Sequence, residues 1–165
     1  MTGRHALENE SQFALWNPKR LPTTPLVRSV VVAHGDIAIG ESIALLLRLK
    51  GFAAAAARDM EFVESTLLHW MPRALLIDTR LCRQNNFRFI RDAASRPSFH
   101  SVLIVALSQA CREMSPAEIR RVGFDGLCRK PCPLWMLTDM LGEHFDAQSD
   151  PSRSALSGLS NHKPS

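Results

Sequence analysis

Short continuous apolar runs alternate along the chain with longer stretches in which apolar residues recur every three or four positions. The first run, Val27 to Ala33, is β-branched and predicts a buried strand. Asp36 is placed to cap the helix that follows. Ile39, Ile43, Leu46 and Leu47 share one face of that helix, and Lys50-Gly51 closes it with a cation and then a glycine. Phe52 to Ala57 predicts a second strand, against the helix propensity of its consecutive alanines. Met60 to Met71 predicts a helix with Val63, Leu67 and Trp70 inward. Ala74 to Ile77 is a wholly apolar third strand ending at Asp78, and a helix over Asn86 to Ser95 follows. Ser101 to Leu107 predicts a fourth strand ending at Ser108. Ser115-Pro116, with Glu118 at the third helical position, opens a short helix that stops at Gly123. Gly126 to Arg129 is the fifth strand, and Pro133 opens a last helix with Leu134, Leu137 and Leu141 inward.

Five strand-then-helix repeats with continuously apolar strands predict an α/β fold, a doubly wound five-stranded parallel sheet covered on both faces. The repeats occupy 27–146. Residues 1–26 carry Pro18, Pro22 and Pro25 among polar residues and predict a disordered extension. Phe13, Leu15 and Trp16 stand out in it as a short segment suited to folding onto a partner or onto the chain's own domain. Residues 147–165 are Ser-rich and predict a disordered tail.

Composition narrows the function classes. A chain of 165 residues with 45% hydrophobic content supports one packed domain, and a net charge of +4 does not by itself argue for nucleic acid. No apolar run reaches the roughly 18 residues of a membrane span, and the first residues lack a secretion signal's apolar core. These features point to a cytoplasmic protein without direct nucleic-acid or membrane partners, whose four cysteines are reduced thiols.

In a doubly wound fold the site lies at the carboxyl ends of the strands. That rule selects His34-Gly35-Asp36, Asp78, Ser108 and Lys130. A carboxylate, a hydroxyl and an ammonium at neighbouring strand ends suit a phosphoryl group: Asp78 as nucleophile, Ser108 and Lys130 as partners of its oxygens. No glycine-rich phosphate loop, nucleophile elbow or paired base supports a small α/β enzyme instead.

These segments resemble the receiver domain of bacterial two-component response regulators, the CheY-like family. Ala74-Leu-Leu-Ile-Asp78 resembles the phosphoacceptor strand, and Val105-Ala-Leu-Ser108 the strand ending in the switch hydroxyl. Gly123-Phe-Asp-Gly126 through Lys130-Pro131 resembles the segment carrying the family's lysine. The resemblance implies a (βα)5 fold, a phosphoacceptor Asp78, a cis Lys130-Pro131 bond, and phosphorelay signalling rather than enzymatic turnover. Its partners would be a sensor histidine kinase or phosphotransfer protein and a downstream regulatory protein.

The chain departs from that pattern. The two adjacent acidic residues that hold Mg²⁺ in the family fall on His34 and Gly35, with Asp36 one residue beyond. Asp36 and Asp78 are then the remaining metal carboxylates, so weak Mg²⁺ binding and impaired phosphorylation are expected. His34 and Lys130 offer metal-free neutralisation instead. The aromatic switch position falls on Leu127, which has no polar tip, and Cys82-Arg-Gln-Asn-Asn86 lacks the usual Pro-Gly. An atypical receiver acting as a phosphorylation-independent binding module is the alternative. Its expected partner face is the fourth helix, fifth strand and last helix, with Met114, Ile119, Leu127, Leu137 and Met140; the same face would suit a homodimer. Cys128 and Cys132 flank Lys130, which raises a thiol or metal site against ordinary packing. His69, His100 and His144 are expected at the surface, and Trp70 and Trp135 in the core.

Overall fold

A computed structural model describes residues 13–17, 27–109 and 114–147. Its elements run β1 (Phe13–Leu15), β2 (Ser29–Ala33), α1 (Ile37–Leu49), β3 (Ala53–Ala57), α2 (Met60–Trp70), β4 (Ala74–Asp78), α3 (Thr79–Arg83), α4 (Arg88–Ser95), β5 (Leu103–Gln109), α5 (Pro116–Val122), β6 (Gly126–Lys130) and α6 (Leu134–Ala147). The sheet order is β1-β6-β5-β4-β2-β3. Strands β2 to β6 are mutually parallel, as the alternating pattern predicts.

Strand parity divides the core into two layers. Val31, Leu75, Ile77, Ile104 and Leu127 meet Val63, Leu67, Ile90, Ile119 and Phe124 on one face. Val30, Val32, Leu76, Val105, Leu107 and Cys128 meet Ala44, Leu47, Leu137, Leu141 and Phe145 on the other. The alanine run is a strand despite its propensity because β2 templates it residue for residue, from Ser29 opposite Ala53 to Ala33 opposite Ala57. Ser115 caps α5 in a full capping box with Glu118.

Several expected faces turn out otherwise. Helix α1 buries Gly40, Ala44 and Leu47, leaving Ile39 and Leu46 exposed. The small residues set its inward face because they let the helix lie close on the sheet: a Cβ on Gly40 would stand 3.3 Å from that of His34 and 3.7 Å from that of Ala56. Trp70 and Trp135 are exposed. His144 is buried instead of exposed, edge-on to Phe145 with ring centroids 5.6 Å apart. Ile119, Leu127, Leu137 and Met140, expected on a partner face, are core residues, and Met114 packs against the core edge. Parity explains it: Leu127 and Met140 point to opposite layers, so they form no common surface.

The expected loose extension is also corrected in part. Phe13–Leu15 adds to the sheet as β1, antiparallel to β6, with Leu15 opposite Gly126. Leu15 packs on one core layer and Trp16 on the other, so the segment straddles the sheet edge. Trp16 Nε1 donates to Phe124 O at 2.6 Å. Gly126 makes this approach feasible, since a Cβ there would lie 2.9 Å from Ala14 O. The remainder of 1–26 and the tail beyond Ala147 lie outside the described residues.

The buried His144 gives the fold an acid sensitivity. Neither of its ring nitrogens has a hydrogen-bond partner among the described residues. Burial holds its pKa below the ordinary value. The folded protein therefore keeps His144 neutral while the unfolded chain takes up a proton near pH 6.5. Its contribution to stability is complete above that pH. It declines as the pH falls below 6.5, and levels off below the folded-state pKa. Urea unfolding from about pH 7.5 to 5 should show a falling midpoint that His144→Leu flattens; an identical slope in the variant would contradict this account.

Candidate functional site

The site is assembled at the carboxyl ends of β2, β4 and β6. Strand β4 delivers Asp78, which is buried and also caps α3: its Oδ1 accepts from Arg80 N at 2.8 Å. Strand β6 delivers Lys130, whose Nζ donates to Asp78 Oδ2 at 2.7 Å. The Lys130-Pro131 bond is cis, as the resemblance implies. Arg80 Nη2 adds a second contact to Oδ2 at 3.2 Å.

His34, directly after β2, is the third group on the same oxygen. Its Nε2 lies 3.2 Å from Asp78 Oδ2 and 3.0 Å from Lys130 Nζ. Its Nδ1 accepts the Asp36 N–H at 3.0 Å. An Nδ1 that accepts places the proton of a neutral imidazole on Nε2, facing Asp78. Burial first, and then the Lys130 ammonium, lower the His34 pKa against the smaller opposing pull of Asp78, which favours that neutral form. Burial works to raise the Asp78 carboxyl, but hydrogen bonds from Lys130 and Arg80 outweigh it and hold the pKa below the usual carboxylate range. Asp78 is thus ionised, with an ammonium, a guanidinium and an imidazole converging on Oδ2.

This arrangement does not fit Mg²⁺. A hard dication wants several oxygen ligands. Here Asp36, expected as a metal ligand with Asp78, spends its Oδ1 on the N–H groups of Ala38 and Ile39 at 2.9 and 3.3 Å as the cap of α1. No three His, Cys, Asp or Glu gather into a metal-holding group among the described residues. His34 supplies a donor where an acidic residue would supply an acceptor. Asp36 and Asp78 do border one open cleft of about 740 Å³, with His34, Gly35, Arg80 and Gln84 among its walls.

Ser108 is buried at the penultimate position of β5, at the same carboxyl end of the sheet. It follows Leu107, the register partner of Asp78. Residue-type reasoning found Asp78 and Lys130 but missed Arg80; its signal is position, two residues past a capping aspartate, where backbone and side chain both turn toward the carboxylate.

The cysteines require a further correction. Cys128 and Cys132, expected as thiols, form a disulfide with Cα atoms 6.1 Å apart. Cys82 is a buried free thiol pushed up to about 12 by burial and then by the Asp78 charge, which keeps it protonated. Cys111 lies outside the described residues.

No protein-family model matches the sequence, and no curated protein matches it. Solved structures do match the fold. The signal receiver domain of a DNA-binding response regulator from Colwellia psychrerythraea 34H superposes with a TM-score of 0.64 at 14% identity, covering 72% of this chain and 98% of that one. The chemotaxis response regulator CheY4 of Vibrio cholerae gives 0.62 at 18% identity, over 72% and 99% of the two chains. A response regulator from Thermotoga maritima gives 0.61 at 17%, over 73% and 99%. With strands β2 to β6 parallel in this order and Asp78 and Lys130 at their carboxyl ends, the chain has the receiver fold of two-component response regulators.

Proposed function

We propose that this chain is a signalling module with a receiver fold whose Asp78 site is preset without Mg²⁺ and without phosphoryl transfer, and whose output is contact with other proteins. The observation that carries this reading is the position of His34. Its imidazole stands beside Asp78 Oδ2, 3.2 Å from that oxygen and 3.0 Å from Lys130 Nζ, with Nε2–H as a donor toward Asp78. The charge that a dication would neutralise is already neutralised by side chains, so the site is preset rather than metal-gated. Partners would be a histidine kinase or phosphotransfer protein and a downstream regulator. The exposed stripe of Ile39, Leu46 and Leu49 on α1 supports such contacts, since Ile39 also borders the cleft.

A second reading, metal-free phosphoryl acceptance on Asp78, is favoured by one feature. Asp78 is ionised and borders a cleft flanked by Arg80, whose side chain is 52% exposed and already contacts Asp78 Oδ2, beside the place a phosphoryl group would occupy. Incubation with acetyl phosphate, with and without Mg²⁺, separates the two by intact mass. The metal-independent contact module predicts no phosphoryl mass under either condition. A gain in both conditions, absent from Asp78→Asn, would install the second reading. A gain only with Mg²⁺ would overturn both.

A further inference from the structure

Cys128 and Cys132 enclose Lys130 in a ring of five residues. Cys128 is fully buried in the core layer beneath α6, and Cys132 packs partly buried against that same layer. Lys130 lies between them with its Nζ on Asp78 and beside His34. Whatever joins or frees the two sulfurs therefore acts on the short connection that aims Lys130 at the site. The Cα separation of 6.1 Å lies within the range a disulfide spans without backbone movement.

We propose that Cys128 and Cys132 are a reversible redox modification site, closed by a low-molecular-weight disulfide and opened by its thiol, and that closure fixes Lys130 on Asp78. Cys132 is the more accessible sulfur, so its thiolate attacks first. The S–S bond of glutathione disulfide breaks, a mixed disulfide forms on Cys132, and one glutathione leaves as thiolate and takes up a proton. The Cys128 thiolate then attacks the Cys132 sulfur and expels the second glutathione. The protein loses two electrons and two protons, and glutathione disulfide gains them as two thiols. Closed, the ring ties the end of β6 to the start of α6 and restricts the lysine between them. Open, that tie is lost and Lys130 no longer holds Oδ2 in competition with Arg80 and His34.

The inference rests on the Asp78–Lys130 contact and involves no phosphoryl donor, so acetyl phosphate results leave it untouched. The full chain is equilibrated in buffers graded from reduced to oxidised glutathione, quenched by alkylation and mapped by peptide mass. Amide spectra of ¹⁵N-labelled protein are recorded across the same series. The expected result is a Cys128–Cys132 bond that closes and opens within the series, with the amides of His34 and Asp78, on other strands, shifting in step. In Cys132→Ser those amides are expected to hold one position in every buffer. In Lys130→Ala the bond still opens and closes, but the His34 and Asp78 shifts are lost. Thiols that persist in glutathione disulfide alone, a bond that persists in glutathione alone, or closure that leaves both amides unmoved would each overturn the proposal.

Discussion

Replacing His34 and Gly35 together by aspartate is expected to create a magnesium response that the native chain lacks. Position 35 accepts the new side chain freely, because nothing lies within 4 Å of a Cβ built on Gly35. Position 34 is buried against Asp78. His34→Asp there removes an Nε2–H donor and sets a second carboxylate beside the first. Like charges at that distance resist joint ionisation, so the variant without metal is less stable than the native chain. A dication reverses the sign, since the new carboxylates and Asp78 become an oxygen ligand set. At Mg²⁺ about 100-fold above its dissociation constant, the variant gains about 2.7 kcal/mol. In a chain of this size that is a rise of roughly 5–10 °C in Tm. The native protein should move by less than about 1 °C under the same titration. With acetyl phosphate, the variant should gain phosphoryl mass about 100-fold faster with Mg²⁺ than without, the several kcal/mol that a bound metal supplies. An equal Mg²⁺ shift in both proteins would mean that His34 never closed the site to metal.

The alternation of apolar strands and amphipathic helices located the sheet because it is a local property, repeated five times. What failed was the direction of individual side chains. Ile39 and Leu46 share a helical face with Ile43, yet α1 turns Gly40 and Ala44 inward. The pattern of large apolar residues cannot show that close approach to Ala56 and His34 outweighs their burial. The same limit misplaced the partner face. Ile119, Leu127, Leu137 and Met140 are neighbours in a topological diagram, but they belong to two different core layers. Strand β1 was invisible as a strand because three residues carry no periodicity; only the prominence of Phe13, Leu15 and Trp16 in a polar stretch hinted at docking.

The site was legible as residue types at strand ends, which identified Asp78 and Lys130. His34 read as a defect in a metal site, a description of what it replaces. In the structure it is a participant, oriented by the Asp36 N–H and aimed at Oδ2. That role depends on contacts between strands that lie 44 residues or more apart in sequence, which no local pattern encodes. The disulfide was missed for a different reason: the expectation of a cytoplasmic chain implied reduced thiols.

Asp125 is the other residue whose importance comes only from tertiary contacts, and Asp125→Ala is expected to be among the most destabilising single changes at the sheet edge. It is buried, immediately before β6. Its Oδ2 accepts the buried Ile104 N–H of β5 at 2.9 Å, and its Oδ1 accepts from Asn17 Nδ2 at 2.6 Å. Its backbone meanwhile binds Ile104 O through the N–H, and receives the Trp16 and Asn17 N–H groups on the carbonyl. One residue thus ties β5 to the segment that closes the β6 edge. Truncation to alanine leaves the Ile104 N–H without that acceptor inside the core and releases Asn17. The lost charged hydrogen bonds and the unsatisfied donor together cost about 2–4 kcal/mol. Thermal unfolding should register a fall of roughly 5–15 °C. Asn17→Ala removes only the outer bond and should cost about 1 kcal/mol. The two changes separate the roles: if Asp125→Ala is no worse than Asn17→Ala, the Ile104 bond contributes nothing and the aspartate serves the strap alone. If it is worse by the expected margin, Asp125 belongs first to the sheet, and β1 docks onto an edge that the aspartate has already built.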